Sequence, residues 1–257
     1  MIVTTSLRTT KQITENAKRV AKELNISFIR RNEQPIPLIH NVYNSDVLVV
    51  SSNRLSIYQV GFEEPMFFHP NSAMFRVKRF LRGEIDPFLK ATKLSNKMSI
   101  VDCTLGLASD SILSSVAVGK NGHVVGVEGN HFLSYIVKQG LLNWKTGLKE
   151  MDEAMQRIKV VEMSNLEYLR KQKENSFDVV YFDPMFESEV KESDGINKIR
   201  QFAFPNSLDE ETLKEARRVA RQRIVLKDHW KSTRFERFGF DVFKRATSKF
   251  HYAAIEL

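Results

Sequence analysis

Met98 to Glu128 reads MSIVDCTLGLASDSILSSVAVGKNGHVVGVE, and the order of residue types in it decides the fold. An apolar run, Ile100 and Val101, ends in Asp102. A turn containing Gly106 follows, then the helix-compatible SDSILSSVAV. Gly119 and Gly122 break that helix, and a second apolar run, Val124 to Val127, ends in Glu128. Strand, tight turn, helix, strand and acid make the βαβ unit of a nucleotide-binding sheet. Glycine lets a backbone approach a ligand closely, and a helix start offers it unpaired N–H groups. An acid closing the second strand can accept bonds from ribose hydroxyls, which assigns Glu128 as a ribose ligand or, failing that, a surface acid. Asp102 can accept either from the N–H groups of its own turn or from an amino group of the ligand.

A second stretch narrows the chemistry. Phe177 to Phe182 reads FDVVYF and runs directly into Asp183-Pro184-Met185-Phe186. An acid, a proline and an aromatic at a strand's carboxyl end can hold a planar, amine-bearing base. The Asp183 carboxylate and the Pro184 carbonyl would accept its N–H bonds, and Phe186 would stack on it. The structural alternative is that Asp183 caps the next segment and Phe186 fills core.

Taken together, DCTLGLASD, GVEG and FDPMF resemble the class I S-adenosylmethionine (SAM)-dependent methyltransferases. Within them they resemble most the small-subunit ribosomal RNA guanine-amine methyltransferases, over roughly residues 80–255. The resemblance implies a Rossmann-like sheet of seven strands, the last antiparallel, and SAM as cofactor. It implies cofactor contacts at Ser109, Asp110, Glu128, Ser164, Asn165 and Asp183; Asp102, Thr104, Gly106 and Gly129 of the same strand ends and turns complete the candidate cofactor site, and Asp183, Pro184 and Phe186 are the candidates at the reacting amine. Ribosomal RNA is the implied partner. The chain departs from the family pattern at Ala108, Ser109, Gly129 and Glu187, which bears on the target nucleotide rather than on SAM. For Ser164 the spacing to Glu167 offers a capping box as a full alternative.

The rest of the chain supports this frame. A length of 257 residues accommodates a small domain beside a Rossmann-sized one. Residues 1–70 read as a small α/β domain, 71–97 as a connecting helical segment and 98–257 as the SAM domain. In the first, Thr9 and Gln12 suggest a capping box before a helix spaced on Ile13, Ala17, Val20 and Leu24. Ile26–Ile29 suggests a second strand, and a short helix follows Pro35 and Pro37 near His40. DVLVVSS and Arg54–Val60 suggest a hairpin. Farther on, His131–Leu148 reads as one helix, Ser207 and Glu210 as a capping box, RIVLK as a strand ending at Lys227, and Phe240–Lys244 with Phe250–Ile255 as a closing antiparallel pair. Glu187–Pro205 reads as a polar substrate loop.

A net charge of +8 favours polyanionic partners. Arg76, Arg79 and Arg82 recur at steps of three on a helix, as a phosphate-contacting stripe or as a solvated face. Lys227 is a substrate contact or a strand-end cation. The single cysteine, Cys103, excludes an intramolecular disulfide and suits a reducing, cytoplasmic setting. No apolar run is long enough for a membrane span or a secretory leader. Six histidines without HxH or HxxxH spacing suggest no metal. GLASDS lacks the G-x-G-x-x-G of a nicotinamide dehydrogenase. The competing readings are a methyltransferase for protein or a small molecule, and a non-catalytic RNA-binding protein on a SAM scaffold.

Overall fold

The computed structural model describes residues 1–184 and 208–257. Phe186 and the Glu187–Pro205 stretch therefore lie outside the described residues. The chain divides into two compact units, Met1–His69 and Pro70–Leu257.

In the first unit, strands β1 (Ile2–Thr5), β2 (Val47–Val50), β3 (Leu55–Tyr58) and β4 (Met66–Phe67) form one sheet in sequence order. The β1–β2 pair is parallel and the other two are antiparallel. Helix α1 (Lys11–Glu23) is capped by Thr10, whose hydroxyl accepts from Ile13 N–H, rather than by Thr9. The Thr9 hydroxyl instead lies against Thr10 O and Thr14 Oγ1. Ile26–Ile29 forms no strand and contributes one isolated bridge, Val3 to Phe28. Helix α2 (Ile36–Tyr43) starts after Pro35, with Pro37 in its first turn, where a missing N–H costs nothing. Ile39 of α2 is buried with Ile2, Val47 and Val49.

The second unit opens with α3 (Asn71–Leu81) and α4 (Pro87–Thr92). Seven strands then form one sheet: β5 (Ser99–Asp102), β6 (His123–Glu128), β7 (Lys159–Glu162), β8 (Phe177–Phe182), β9 (Ala220–His229), β10 (Asp241–Phe243) and β11 (Phe250–Glu256). Their order is β10-β11-β9-β8-β5-β6-β7. Strands β5 to β9 are mutually parallel, and β11 runs antiparallel between β9 and β10. This is the Rossmann-like architecture that the sequence predicts.

Parallel strands covered on both faces must be apolar throughout, and every residue of FDVVYF is buried. Val180 and Phe182 face one layer with Val101, Val127 and Ile224. That layer is closed by α8 (Asn165–Arg170), α9 (Glu210–Val219) and α10 (Arg234–Phe238) through Leu169, Ala216 and Phe235. On the alternate residues, Tyr181 meets Phe88 of α4 edge-on at 4.8 Å between ring centroids.

The His131–Leu148 stretch is shorter than one helix. Helix α6 (His131–Asn143) stops there, and α7 (Lys149–Arg157), absent from the sequence reading, follows. The α9 cap is Asp209, which accepts from Thr212 N–H. Between α5 (Ser109–Val118) and β6, a side chain at Gly122 would bring its Cβ within 2.3 Å of Val118 Cγ2 and 2.8 Å of Val118 O, so only glycine fits. Among the described residues no helix is long and apolar enough to cross a membrane.

Candidate functional site

Four strand ends converge at the carboxyl edge of the sheet, where open α/β sheets hold ligands. Asp102 and Glu128 end β5 and β6, Asp183 follows β8, and Lys227 lies two residues inside β9, which runs on to His229 rather than stopping at Lys227.

Asp102 closes β5 and is 2% exposed. One carboxylate oxygen accepts from Thr104 N at 3.1 Å, and the other accepts from Ser111 Oγ at 2.7 Å. The turn reading of Asp102 thus accounts for its bonds. Burial pushes its carboxyl up to about 7; the Ser111 bond opposes the rise, and the Asp110 charge adds to it.

Thr104 links two strand ends. Its hydroxyl accepts from Asp183 N at 2.7 Å, and its own N–H goes to Asp102. Gly106 takes a positive φ of 49°, and a Cβ there would meet no atom closer than Thr104 O at 3.9 Å, so its outer side is open. Its N–H donates to Glu128 at 3.2 Å. Ala108 also takes the left-handed conformation, φ 63°, at a cost of roughly 1 kcal/mol for a residue with a Cβ.

Glu128 ends β6 and is 4% exposed. Burial raises its pKa, opposed by N–H donors from Asn130, Gly106 and Gly129. Its backbone carbonyl accepts from Met163 N at 3.1 Å, which brings the end of β7 alongside. Ser164 caps α8 by accepting from Glu167 N at 3.3 Å, so the capping alternative holds for that hydroxyl. Asn165 is 3% exposed; its Oδ1 accepts from Leu166 N, while its Nδ2 is buried with no hydrogen-bond partner among the described residues. Ser109 Oγ at the start of α5 is orphaned in the same way.

Such orphaned buried atoms are uncommon and mark places where a ligand can supply the missing partner. Two of them flank a loop with an open glycine and a strand-end acid. The residues present therefore fit SAM: Glu128 would accept from hydroxyls, Asn165 Nδ2 would have a donor to offer, and the Gly106 turn would leave room for the ligand.

Asp110 stands differently. It is 8% exposed and bonded to Arg76 Nη1 at 2.5 Å and to Tyr181 Oη–H at 2.9 Å. Burial would raise its carboxyl, but Arg76 and Lys227 outweigh burial and hold it low. Its bonds are those of a structural hub between α3, α5 and β8.

Arg76 is likewise not part of a solvated stripe. Its Nε and Nη2 bind the Asp86 carboxylate at 2.9 and 3.0 Å, and its Nη1 binds Asp110. Removing it would strip Asp110 of its nearer cation and leave Lys227, 3.9 Å away, and the Tyr181 hydroxyl as its partners, a loss of at most about 3–5 kcal/mol. Arg79 pairs with Glu84 at 2.6 Å with its side chain 49% exposed, and Arg82 is exposed at the α3 C-cap. The threefold spacing does not give the three a common role: Arg76 is buried against two carboxylates, Arg79 sits in an exposed ion pair and Arg82 ends the helix.

Asp183 follows β8 with its side chain 25% exposed. Lys227 Nζ donates to its Oδ2 at 2.5 Å and lies 3.9 Å from Asp110. Burial would lower the Lys227 ammonium, but Asp183 and Asp110 outweigh it and keep it protonated. Burial pushes the Asp183 carboxyl up to about 6, against the pull of Lys227 and with the push of Asp110. Pro184 is buried beside it.

Tyr181, Ser111 and Asp86 escaped the sequence reading. A tyrosine in a central strand needs a buried partner for its hydroxyl, and that signal was available in FDVVYF. Among the described residues no three His, Cys, Asp or Glu side chains group to hold a metal ion.

Residues 32–237 match the model of a family described as "Putative SAM-dependent methyltransferase". YpiP, an uncharacterized protein of Bacillus subtilis (strain 168), is 48% identical over 255 residues, 99% of each chain. The crystal structure of the SAM-dependent methyltransferase NGO1261 from Neisseria gonorrhoeae shares the fold. Its TM-score is 0.64 at 16% identity, covering 100% of this chain and 96% of that one.

Proposed function

The chain belongs to the SAM-dependent methyltransferase family, and from that premise we propose that it methylates an exocyclic amine of a base in RNA. The specific form of the proposal is a guanine amine of ribosomal RNA, the target implied by the resemblance of DCTLGLASD and FDPMF to that family.

The carrying observation is the Asp183-Pro184 pair at the carboxyl end of β8. The Asp183 backbone is tied to Thr104 and its carboxylate to Lys227, and it is partly exposed beside the SAM loop. Bound SAM supplies a methyl group already activated by its sulfonium, so no metal is required. An aryl amine is a poor nucleophile because its lone pair is spread into the ring. The Asp183 carboxylate and the Pro184 carbonyl accept its two N–H bonds, localise that lone pair and fix its direction. Such positioning is worth up to about 7–11 kcal/mol of a barrier. As the N–C bond forms, Asp183 faces the growing positive charge and can take the departing proton.

The +8 charge supports a polyanionic substrate. Arg82 adds an exposed cation to the same unit; Arg79, paired with Glu84, and Arg76, committed to two carboxylates, do not.

The test is methyl transfer from radiolabelled SAM to total RNA, total protein and a metabolite extract. Label in RNA, released as a methylated base on nuclease digestion, is expected. Label in protein or metabolites with none in RNA overturns the RNA reading.

A further inference from the structure

We propose that the edge of the sheet beside Asp183 carries a docking strip for single-stranded nucleic acid, with Trp230 as a stacking platform and the β10–β11 turn as its phosphate contact. The inference rests on the RNA reading above and assigns the surface that presents the strand to the site.

The topology brings the strip together. Strand β9 runs toward the site and ends at His229; β11 returns from it, with Phe250 paired to His229. Strand β10 ends at Phe243 opposite Tyr252, so the residues that join it to β11 emerge at the same edge. The Trp230 N–H donates to Lys249 O at 3.2 Å, which ties the segment after β9 to that turn.

The residue types are one-sided. Segments 227–233 and 243–252 read KDHWKST and FKRATSKFHY, with a single acid, Asp228, and five Lys or Arg, of which Lys227 is taken up by Asp183 and Asp110 and four remain. Asp228 is 1% exposed and bonded to Ser232 Oγ and Arg234 Nη1, so it adds no negative charge to the surface. The rings lie among the cations. Lys227 Nζ and Arg245 Cζ each lie 4.9 Å from the Phe250 centroid, and Lys231 Nζ lies 4.8 Å from that of Trp230. Trp230 is 50% exposed, whereas large aromatic rings are ordinarily covered. Lys227 also binds Asp183, so the strip is continuous with the proposed reacting pair.

An exposed indole among cations matches the alternation of bases and phosphates. A duplex hides its base faces, so a ring can stack only on an unpaired base. The strip contacts charge and base faces, not base edges, and therefore adds affinity without choosing sequence.

The experiment measures the full chain against a fluorescein-labelled 12-nucleotide RNA of mixed sequence, its DNA counterpart and the RNA duplex, by anisotropy across a salt series. Trp230→Ala is expected to weaken single-strand binding about tenfold, within the range for loss of one stacked base. Trp230→Phe should recover most of that loss, and Trp230→Leu should not. The triple variant Lys244→Gln, Arg245→Gln, Lys249→Gln should flatten the log–log salt slope by roughly two, at about 0.7 per phosphate contact on a single strand. The chain has two tryptophans, Trp144 and Trp230, so Trp144→Phe isolates the emission of Trp230, which RNA should quench. S-adenosylhomocysteine affinity by calorimetry checks folding of each variant.

Comparable binding of single-stranded RNA and DNA, with a weaker duplex, supports the strip. It is overturned if Trp230→Ala binds within twofold of wild type, if the duplex binds best, or if the salt slope does not change. RNA methylation with normal binding by the strip variants sinks the strip and leaves the RNA reading standing. Binding that depends on Trp230 without methyl transfer to RNA does the reverse.

Discussion

Strand β8 carries an aspartate near each end, and the two have opposite fates. Asp178, near its start, is saturated. Its carboxylate accepts from Ser99 N and Oγ at 2.7 and 2.8 Å, from Arg221 Nη1 at 2.5 Å and from Gln222 Nε2 at 3.1 Å. Burial would raise its pKa, but these donors outweigh burial and lower it. Asp183, just past the other end, has one side-chain donor among the described residues, Lys227, and is pushed up to about 6. A carboxylate that staples two strands is satisfied by the fold itself. Asp183, which we propose handles substrate, keeps lone pairs in reserve among the described residues, and its ionisation moves toward working pH.

The contrast can be broken from either end. The largest effect belongs to Asp183→Ala: kcat should fall by about 10³, because an interaction felt mainly in the transition state is removed. SAM affinity should stay within roughly tenfold. Calorimetry and labelled-methyl turnover check both, and near-normal turnover would make Asp183 structural.

Asp178→Ala is expected to do the opposite. Leaving the Ser99 donors and Arg221 without their acceptor should cost about 2–3 kcal/mol in urea unfolding. Turnover per folded molecule should be unchanged.

Asp102 sharpens the comparison, being internally bonded like Asp178 yet raised like Asp183. With a folded value of about 7 against about 3.9 for a free carboxyl, the native state holds the extra proton between those values. Stability from this group is complete below about pH 4 and is lost as pH rises through about 7. The Asp102→Asn variant should flatten the fall in stability over that window, by roughly 2 kcal/mol and at most about 4. Urea midpoints at pH 5 and pH 8 measure it; an unchanged difference would refute it.

The smallest effect is that of Lys227→Gln. Without the ammonium, the Asp183 carboxyl should rise further above about 6. The acid limb of the pH–rate profile should then move up by about one pH unit. The loss is several-fold at pH 6.5 and fades by pH 8.5. An unmoved limb would separate Lys227 from Asp183 function.

Much of this was legible before the fold was known. Apolar runs ending in acids gave β5, β6 and β8, since a strand buried on both faces must be apolar and its end must meet solvent or ligand. Local capping was read less well. Thr9 and Ser207 had the right spacing, but Thr10 and Asp209 took the caps, because several acceptors compete within one turn and helix phase selects among them. Helix α7 was missed: KEMDEAMQR has three buried positions, Met151, Ala154 and Met155, too few to stand out from a polar loop.

The sequence by itself determined the strand–turn–helix–strand order, the acids at the strand ends and the glycine in the turn, because these depend on neighbours a few residues apart. Only the tertiary structure decided which cations those acids receive. Steps of three along a helix make Arg76 and Arg79 neighbours and put Arg82 at the α3 C-cap, but spacing does not say which of them is buried against a carboxylate. Arg76 alone points at Asp110, 34 residues away, and Lys227 finds Asp183 across 44. Pairings at that separation follow from which strands lie side by side, and no local spacing encodes them.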